Sequence, residues 1–366
     1  MMRRLRYRPD LDGLRAIAVL AVMAYHSAPY LSRFRLRGGF LGVDVFFVLS
    51  GYLITSLLLE EQKVNGAIQM RSFYARRALR LVPALVLAFG VGYASVQILG
   101  SNLEGYPYGL SVLFAALYVG NWFQPFAGGL GVLGHTWSLA VEEQYYLVWP
   151  WVVARGCVNT RRRRRMVVGT ASAALIVGVV RWVLYEVGPE QTGFFWTIAR
   201  ADGVLWGSAL AMAISEWPAA TRHLFRPVAV AVAAGAIVIV VTLMVSTQHP
   251  FVFRGGLAIA CVATTVVIGH LVTADRSPVA RLLALQPLPA IGRISYGLYL
   301  FHLPVSLALH GVPAKRTGII SVVAMFAVTF LLAALSYVFL ESRALRLKAR
   351  FTVLESRRVS GVEGGA

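Results

Sequence analysis

Apolar runs of roughly 18 residues or more recur along this chain from end to end, each long enough to cross ~30 Å of hydrocarbon as a helix. Ten lie at about 12–31, 40–60, 80–100, 138–155, 166–187, 195–215, 226–247, 253–274, 289–311 and 317–340, and a shorter apolar run lies at 109–123. The pattern predicts an all-α, polytopic integral membrane protein embedded in a lipid bilayer. The 366 residues are 58% hydrophobic and only 14% charged, with a mean hydropathy of +0.67. An average soluble domain carries about 25% charged residues, so a soluble enzyme, a disordered chain and a secreted disulfide scaffold are all disfavoured. Cys157 and Cys261 lie too far apart for a metal or redox spacing, and no metal site is expected.

The 35 Lys+Arg outnumber the 16 Asp+Glu, a net charge of +19. These cations sit in short clusters between apolar runs, the pattern of cytoplasmic loops rather than of a nucleic-acid surface. Arg3, Arg4, Arg6 and Arg8 place the N-terminus in the cytoplasm, and Arg71, Arg76, Arg77 and Arg80 do the same for the loop before the third run. If 109–123 crossed fully, Arg161 to Arg165 would fall outside. If it dips in and returns, they fall inside, as does the tail with Arg343, Arg346, Lys348 and Arg350. The expectation is therefore about ten transmembrane helices, one re-entrant segment, and both termini cytoplasmic. The first run carries Asp12, Arg15 and His26, which a cleaved signal peptide would not need, so it is expected to be retained. Residues 1–345 read as one membrane domain and 346–366 as a basic, flexible cytoplasmic tail, with no soluble domain appended.

Ionisable groups inside spans are costly and therefore functional candidates. Arg15 and His26 are eleven steps apart, about 20° past three full turns, so they share a helix face some ~16.5 Å apart along the axis. Asp12 and Arg15, at i and i+3, are placed to pair near the inner surface. His26 is left in the outer half, open to another partner. In the second run, Asp44 and Ser50 sit among glycines, and close helix packing would account for them. Arg76 and Arg77 lie within one turn of Arg80, a cationic knob able to grip phosphate or simply to anchor the topology. The stretch from His135 through Trp137-Ser138-Leu139 to Glu142, Glu143 and Tyr146 brings two carboxylates to a depth comparable to His26. A carboxylate beside a histidine orients and polarises a general base. The seventh run adds Arg200 and Asp202, and the tenth adds Tyr296, Tyr299 and His302, the last expected in a structural or pocket-lining role rather than as a second catalytic imidazole. His223, His249, His270 and His310 lack acidic neighbours and are set aside.

Arg15 with His26, the block Phe46-Phe47-Val48-Leu49-Ser50-Gly51-Tyr52, Arg77-Ala78-Leu79-Arg80, and Trp137-Ser138-Leu139 through Glu142 to Tyr146 occur in that order. Together they resemble the membrane-bound acyltransferase-3 family of bacterial O-acyltransferases, over residues from about 7 to 343. The opening Tyr7-Arg8-Pro9-Asp10-Leu11-Asp12-Gly13-Leu14-Arg15 resembles the branch acting on envelope sugars. The resemblance implies a multi-pass protein of the bacterial inner membrane. It would transfer an acyl group, usually acetyl, from acyl-CoA as donor substrate to a hydroxyl of a cell-envelope glycan or glycolipid, with no permanently bound cofactor. His26 matches the family's essential histidine, Arg15 its paired arginine, and Glu142 the glutamate of the tryptophan-serine-leucine motif. Arg77 and Arg80 match the arginine pair of the acyl-CoA side, with Arg76 beside them.

Catalysis is thus expected from His26, Glu142, Arg15 and Asp12, with Ser50, Trp137, Tyr146 and His302 lining the substrate site. Whether His26 acts as base or takes the acyl group itself stays open. Tyr145 stands where phenylalanine is common, and Arg343 where proline often follows Glu341, which puts the helix ending there in question. A hydrolase-like domain attached in some members is not expected, so a second transfer step would need another protein. Two other readings are compatible with the sequence: a tailoring enzyme for a glycosylated natural product, and a proton-coupled transporter or flippase of a lipid-linked glycan. No inverted repeat favours the last.

Overall fold

The computed structural model describes residues 7–31, 36–99, 105–189, 191–310 and 318–347. Among these, every regular element is a helix. Most of the tail expected at 346–366, beyond Leu347, lies outside the described residues. The helices are α1 (Pro9–Ser27), α2 (Gly42–Asn65), α3 (Met70–Leu99), α4 (Tyr108–Ala116), α5 (Gly120–Phe123), α6 (Trp137–Gly156), α7 (Thr160–Val187), α8 (Thr192–Phe195) and α9 (Thr197–Arg200). They continue with α10 (Asp202–Glu216), α11 (Pro218–Phe225), α12 (Val228–Met244), α13 (Leu257–Thr273), α14 (Pro278–Leu283), α15 (Leu288–Arg293), α16 (Ser295–His310), α17 (Ile319–Ser336) and α18 (Ser342–Leu347).

Each apolar run therefore contains a helix, but among the described residues five helices are long and apolar enough to cross a membrane. A sixth is added if α11 and α12, bent by 67°, count as one span. The others are shorter or more polar: α10 and α16 have 15 and 16 residues, and α1 and α6 carry ionisable groups, Asp10, Asp12 and Arg15 in one and Glu142 and Glu143 in the other. By contrast α3, α7 and α17 present apolar side chains outward, among them Val86, Ile176 and Leu331, as a lipid-facing helix must. The run at 109–123 is broken: α4 has nine residues, about 13.5 Å of rise, too short to cross hydrocarbon unaided. Tyr118 turns the chain with φ 53°. Gln144 of α6 clips this segment in place, donating to the Tyr118 carbonyl (2.7 Å) and to Asn121 (2.9 Å).

Pro9 opens α1 where its missing N–H is no loss, and Asp10 and Asp12 face the positive end of the helix dipole. Gly66, at φ 75°, ends α2 in the left-handed conformation that glycine adopts without strain. The inner helices pack closely because glycines face backbone. A Cβ on Gly51 of α2 would lie 1.9 Å from the Val204 carbonyl oxygen of α10, and one on Gly207 would lie 2.0 Å from that of Val48. Gly13 meets Leu283 in the same way, which seats α1 against α14. The small residues noted in the second run do serve close packing. At the C-terminal side the helix runs on through a π-helical turn, Tyr337–Glu341, into α18, so Arg343 does not end it.

Candidate active site

Two cavities meet at Arg15. The larger, about 1340 Å³, opens at the end of the bundle where α1 begins, and six arginines line it: Arg8, Arg15, Arg80, Arg222, Arg226 and Arg276. The smaller, about 70 Å³, lies deeper and is lined by Arg15, Ser50, Ser138, Glu142, Ser295 and Tyr299 among others. Arg15 forms part of both walls, held by a hydrogen bond from Nε to the Ser295 hydroxyl (3.3 Å). The expected Asp12–Arg15 pair does not form. Asp12 is instead the partner of the Tyr7 hydroxyl and lines the large cavity. The α15 helix packs so closely on α1 that a Cβ on Gly292 would lie 1.9 Å from the Asp12 carbonyl oxygen, and α16, next in the chain, presents Ser295 to Arg15.

The three arginines of α3 do not make one knob. Arg76 pairs with Glu61 at 2.9 Å, within the same helical hairpin. Arg77 turns inward, ion-paired with Glu143, its guanidinium 3.5 Å above the Tyr146 ring. Arg80 alone of the three lines the large cavity, where it faces the like charges of Arg15 and Arg77. Tyr146 and Trp137 are buried, Tyr146 beneath Arg77, and Trp137 against Phe47, Phe194 and Phe195. These two belong to the packing around the chamber, whereas Ser50 lines it.

His26 is oriented by histidine rather than by carboxylate. Its Nδ1 lies 3.0 Å from the Val22 carbonyl and 3.2 Å from Nε2 of His302. Glu142 instead accepts a hydrogen bond from Ser50 Oγ at 2.7 Å. The partners fix the tautomers, because a carbonyl only accepts. His302 Nδ1 must donate to the Tyr299 carbonyl (2.6 Å), so its Nε2 carries a lone pair. His26 Nδ1–H then points at Val22 and at that lone pair, and His26 Nε2 is left as the open base. A third imidazole, His135, has its ring 5.2 Å from that of His302 and donates from Nε2 to the Leu300 carbonyl (3.0 Å). Its buried Nδ1 has no partner. Tyr299 links this group to the chamber: its hydroxyl donates to the His135 carbonyl (2.8 Å) and lies 2.6 Å from Ser138 Oγ.

Beside the chamber lie two fully buried ion pairs, Arg200 with Asp44 (3.0 Å) and Arg181 with Asp202 (2.8 Å). They tie α2, α7, α9 and α10 together, and the Arg200 guanidinium also faces Phe194, Trp137 and Phe47. Sequence reasoning passed over Arg181, although a lone arginine in an apolar helix is itself a signal. It also quoted His135 without giving it a role. Among the described residues no cluster of His, Cys, Asp and Glu could hold a metal ion.

Residues 8–338 match the family model of the acyltransferase-3 type, described as an acyltransferase domain. The chain belongs to the acyltransferase-3 family. This family member is 35% identical over 365 residues to the peptidoglycan O-acetyltransferase OatA of Listeria monocytogenes, an alignment covering 92% of the chain and 56% of that protein. It is 34% identical to a Bacillus subtilis protein bearing the name "Putative peptidoglycan O-acetyltransferase YrhL", covering 92% of the chain and 54% of the relative. A Staphylococcus aureus protein named as an O-acetyltransferase of the same provisional kind is 32% identical, over 93% and 58% respectively. The chain thus spans little more than half the length of these curated relatives. No solved structure matches it.

Proposed function

We propose that this protein is a multi-pass membrane O-acyltransferase that moves an acetyl group from acetyl-CoA to a sugar hydroxyl of the bacterial cell envelope. The names of two relatives point to peptidoglycan as the acceptor. The ten-span topology with cytoplasmic termini belongs to this reading, since it places the mouth of the arginine-lined cavity on the cytoplasmic side, where CoA is found. The observation that carries it is Arg15, shared between a cationic cavity able to hold a polyphosphate and a narrow chamber bearing Glu142 and Tyr299. The thin pantetheine arm of the donor passes Arg15, while its phosphates stay among the arginines.

The chemistry follows from the tautomers. His26 Nε2 takes the proton of the acceptor hydroxyl as its oxygen attacks the thioester carbonyl. The C–O bond forms, the C–S bond breaks, and the proton passes to the departing thiolate of CoA. The positive charge that His26 carries in between is delocalised onto Nδ1–H, which faces the His302 lone pair and the Val22 carbonyl. Purified protein in lipid nanodiscs, given acetyl-CoA and soluble peptidoglycan fragments, should release free CoA and yield acetylated sugar. Absence of any CoA binding or CoA release would refute the reading.

A further inference from the structure

The large cavity has an outer rim that the family motifs do not touch. Arg222 and Arg226 come from the end of α11, and Arg276 from the loop between α13 and α14. These two segments are bolted together by His270, fully buried in α13. Its Nδ1 donates to the Phe225 carbonyl (2.9 Å), leaving Nε2 to accept from the Ser277 hydroxyl (2.8 Å). Ser277 in turn accepts from the Ala280 N–H (3.1 Å), so each polar atom of the joint is satisfied. Gly269 lets the Phe225 ring sit where a Cβ would lie 2.8 Å away. Each bonded residue is next in sequence to a rim arginine: Phe225 to Arg226, and Ser277 to Arg276. The joint therefore fixes the backbone beside Arg226 and Arg276, and these two line the cavity together with Arg222, Arg15 and Arg80. Against six arginines the lining offers, among the described residues, Asp12 and Asp275, and Asp275 faces Arg8.

We infer that Arg222, Arg226 and Arg276 form a subsite for the 3′-phosphomonoester of CoA. This rests on acyl-CoA being the donor. A phosphomonoester carries about −1.5 to −2 charges at pH 7 and three strong acceptor oxygens, more than one arginine can match. The diphosphate, nearer the reactive end, lies toward Arg80 and Arg15, and the 3′-phosphate on the ribose reaches the rim. Arginine is suited to both because its planar fork binds phosphate oxygens in pairs.

The test compares CoA with 3′-dephospho-CoA on the full-length protein in nanodiscs, by calorimetry and by acetyl-transfer kinetics. Wild type should favour CoA by about tenfold or more, as loss of charge-assisted hydrogen bonds implies. Replacing Arg222, Arg226 and Arg276 together by Ala should abolish that preference and raise KM for acetyl-CoA. With 3′-dephospho-acetyl-CoA as donor, KM of the triple variant should differ from that of wild type far less than it does with acetyl-CoA. The single variant Arg276→Glu should act in the same direction, which guards against misfolding of the triple variant. If wild type binds CoA but does not prefer it over the dephospho form, or the triple variant keeps the preference, the subsite is wrong. If the triple variant keeps the preference and differs from wild type only in its melting temperature in nanodiscs rich in anionic phospholipid, the rim serves lipid headgroups and the inference is overturned. Failure of wild type to bind any form of CoA would instead overturn the donor assignment itself.

Discussion

Nε2 of His302 lies 3.2 Å from Nδ1 of His26, on a helix 276 residues further along the chain. The pair sets which nitrogen of His26 is free, and it places a neutral acceptor where many acyltransferases and hydrolases place a carboxylate. A neutral partner stabilises the imidazolium less than a carboxylate would, but it also avoids burying a charge.

If His26 is the general base, Ala, Gln or Asn in its place should each lower turnover by about 10²–10⁴-fold. His302→Gln, whose carbonyl oxygen can still accept from His26 Nδ1, should stay within about tenfold of wild type. His302→Leu should approach the loss seen on removing His26. Acetyl transfer in proteoliposomes, with CoA affinity measured alongside, checks both. Near wild-type transfer by His26→Gln would remove His26 from the mechanism.

Arg77 and Arg80 should separate by phenotype although they are one turn apart. Arg77→Ala strips Glu143 of its partner, and loss of one member of such a pair costs about 3 kcal/mol, appearing as a lower melting temperature. Glu143→Gln in the same chain should restore part of that stability. Arg80→Ala should leave melting unchanged while weakening CoA binding by about tenfold or more. Equal effects of the two substitutions on donor affinity would contradict this division.

The crossing of α2 and α10 leaves no room for a side chain at Gly51 or Gly207. Either glycine replaced by Ala should push the helices apart at a loss of about 1–3 kcal/mol. Thermal unfolding in detergent reads this directly. Since Ser50 lies next to Gly51 and holds Glu142, activity should fall in step. Gly90, with open space around it, is the control and should accept Ala without change.

Topology is open to the same kind of check. A reporter fused after Arg165 should read cytoplasmic, and one after Pro189 external. Labelling of the Arg161 to Arg165 region by an impermeant reagent from outside would break the ten-span arrangement.

The helices were legible in the sequence because hydrophobic length and spacing are local properties of the chain. The eleven runs each contain a helix, the weak run at 109–123 breaks into α4 and α5, and the glycines of the second run pack as small residues in membrane helices do. Family motifs singled out Arg15, His26, Ser50 and Glu142 because they recur in order, whatever their partners. Those partners were decided only by tertiary structure. Arg76 takes Glu61, 15 residues away, Arg77 takes Glu143, 66 away, and His26 takes His302 instead of Glu142. Asp44, which packing seemed to explain, neutralises Arg200, and His270, without acidic neighbours in sequence, turns out to join two loops at the cavity rim. In an apolar bundle each ionisable group must find a partner, and helical periodicity tells which face it lies on. It does not tell which helix lies opposite, and in a low-dielectric interior that neighbour determines the pairing.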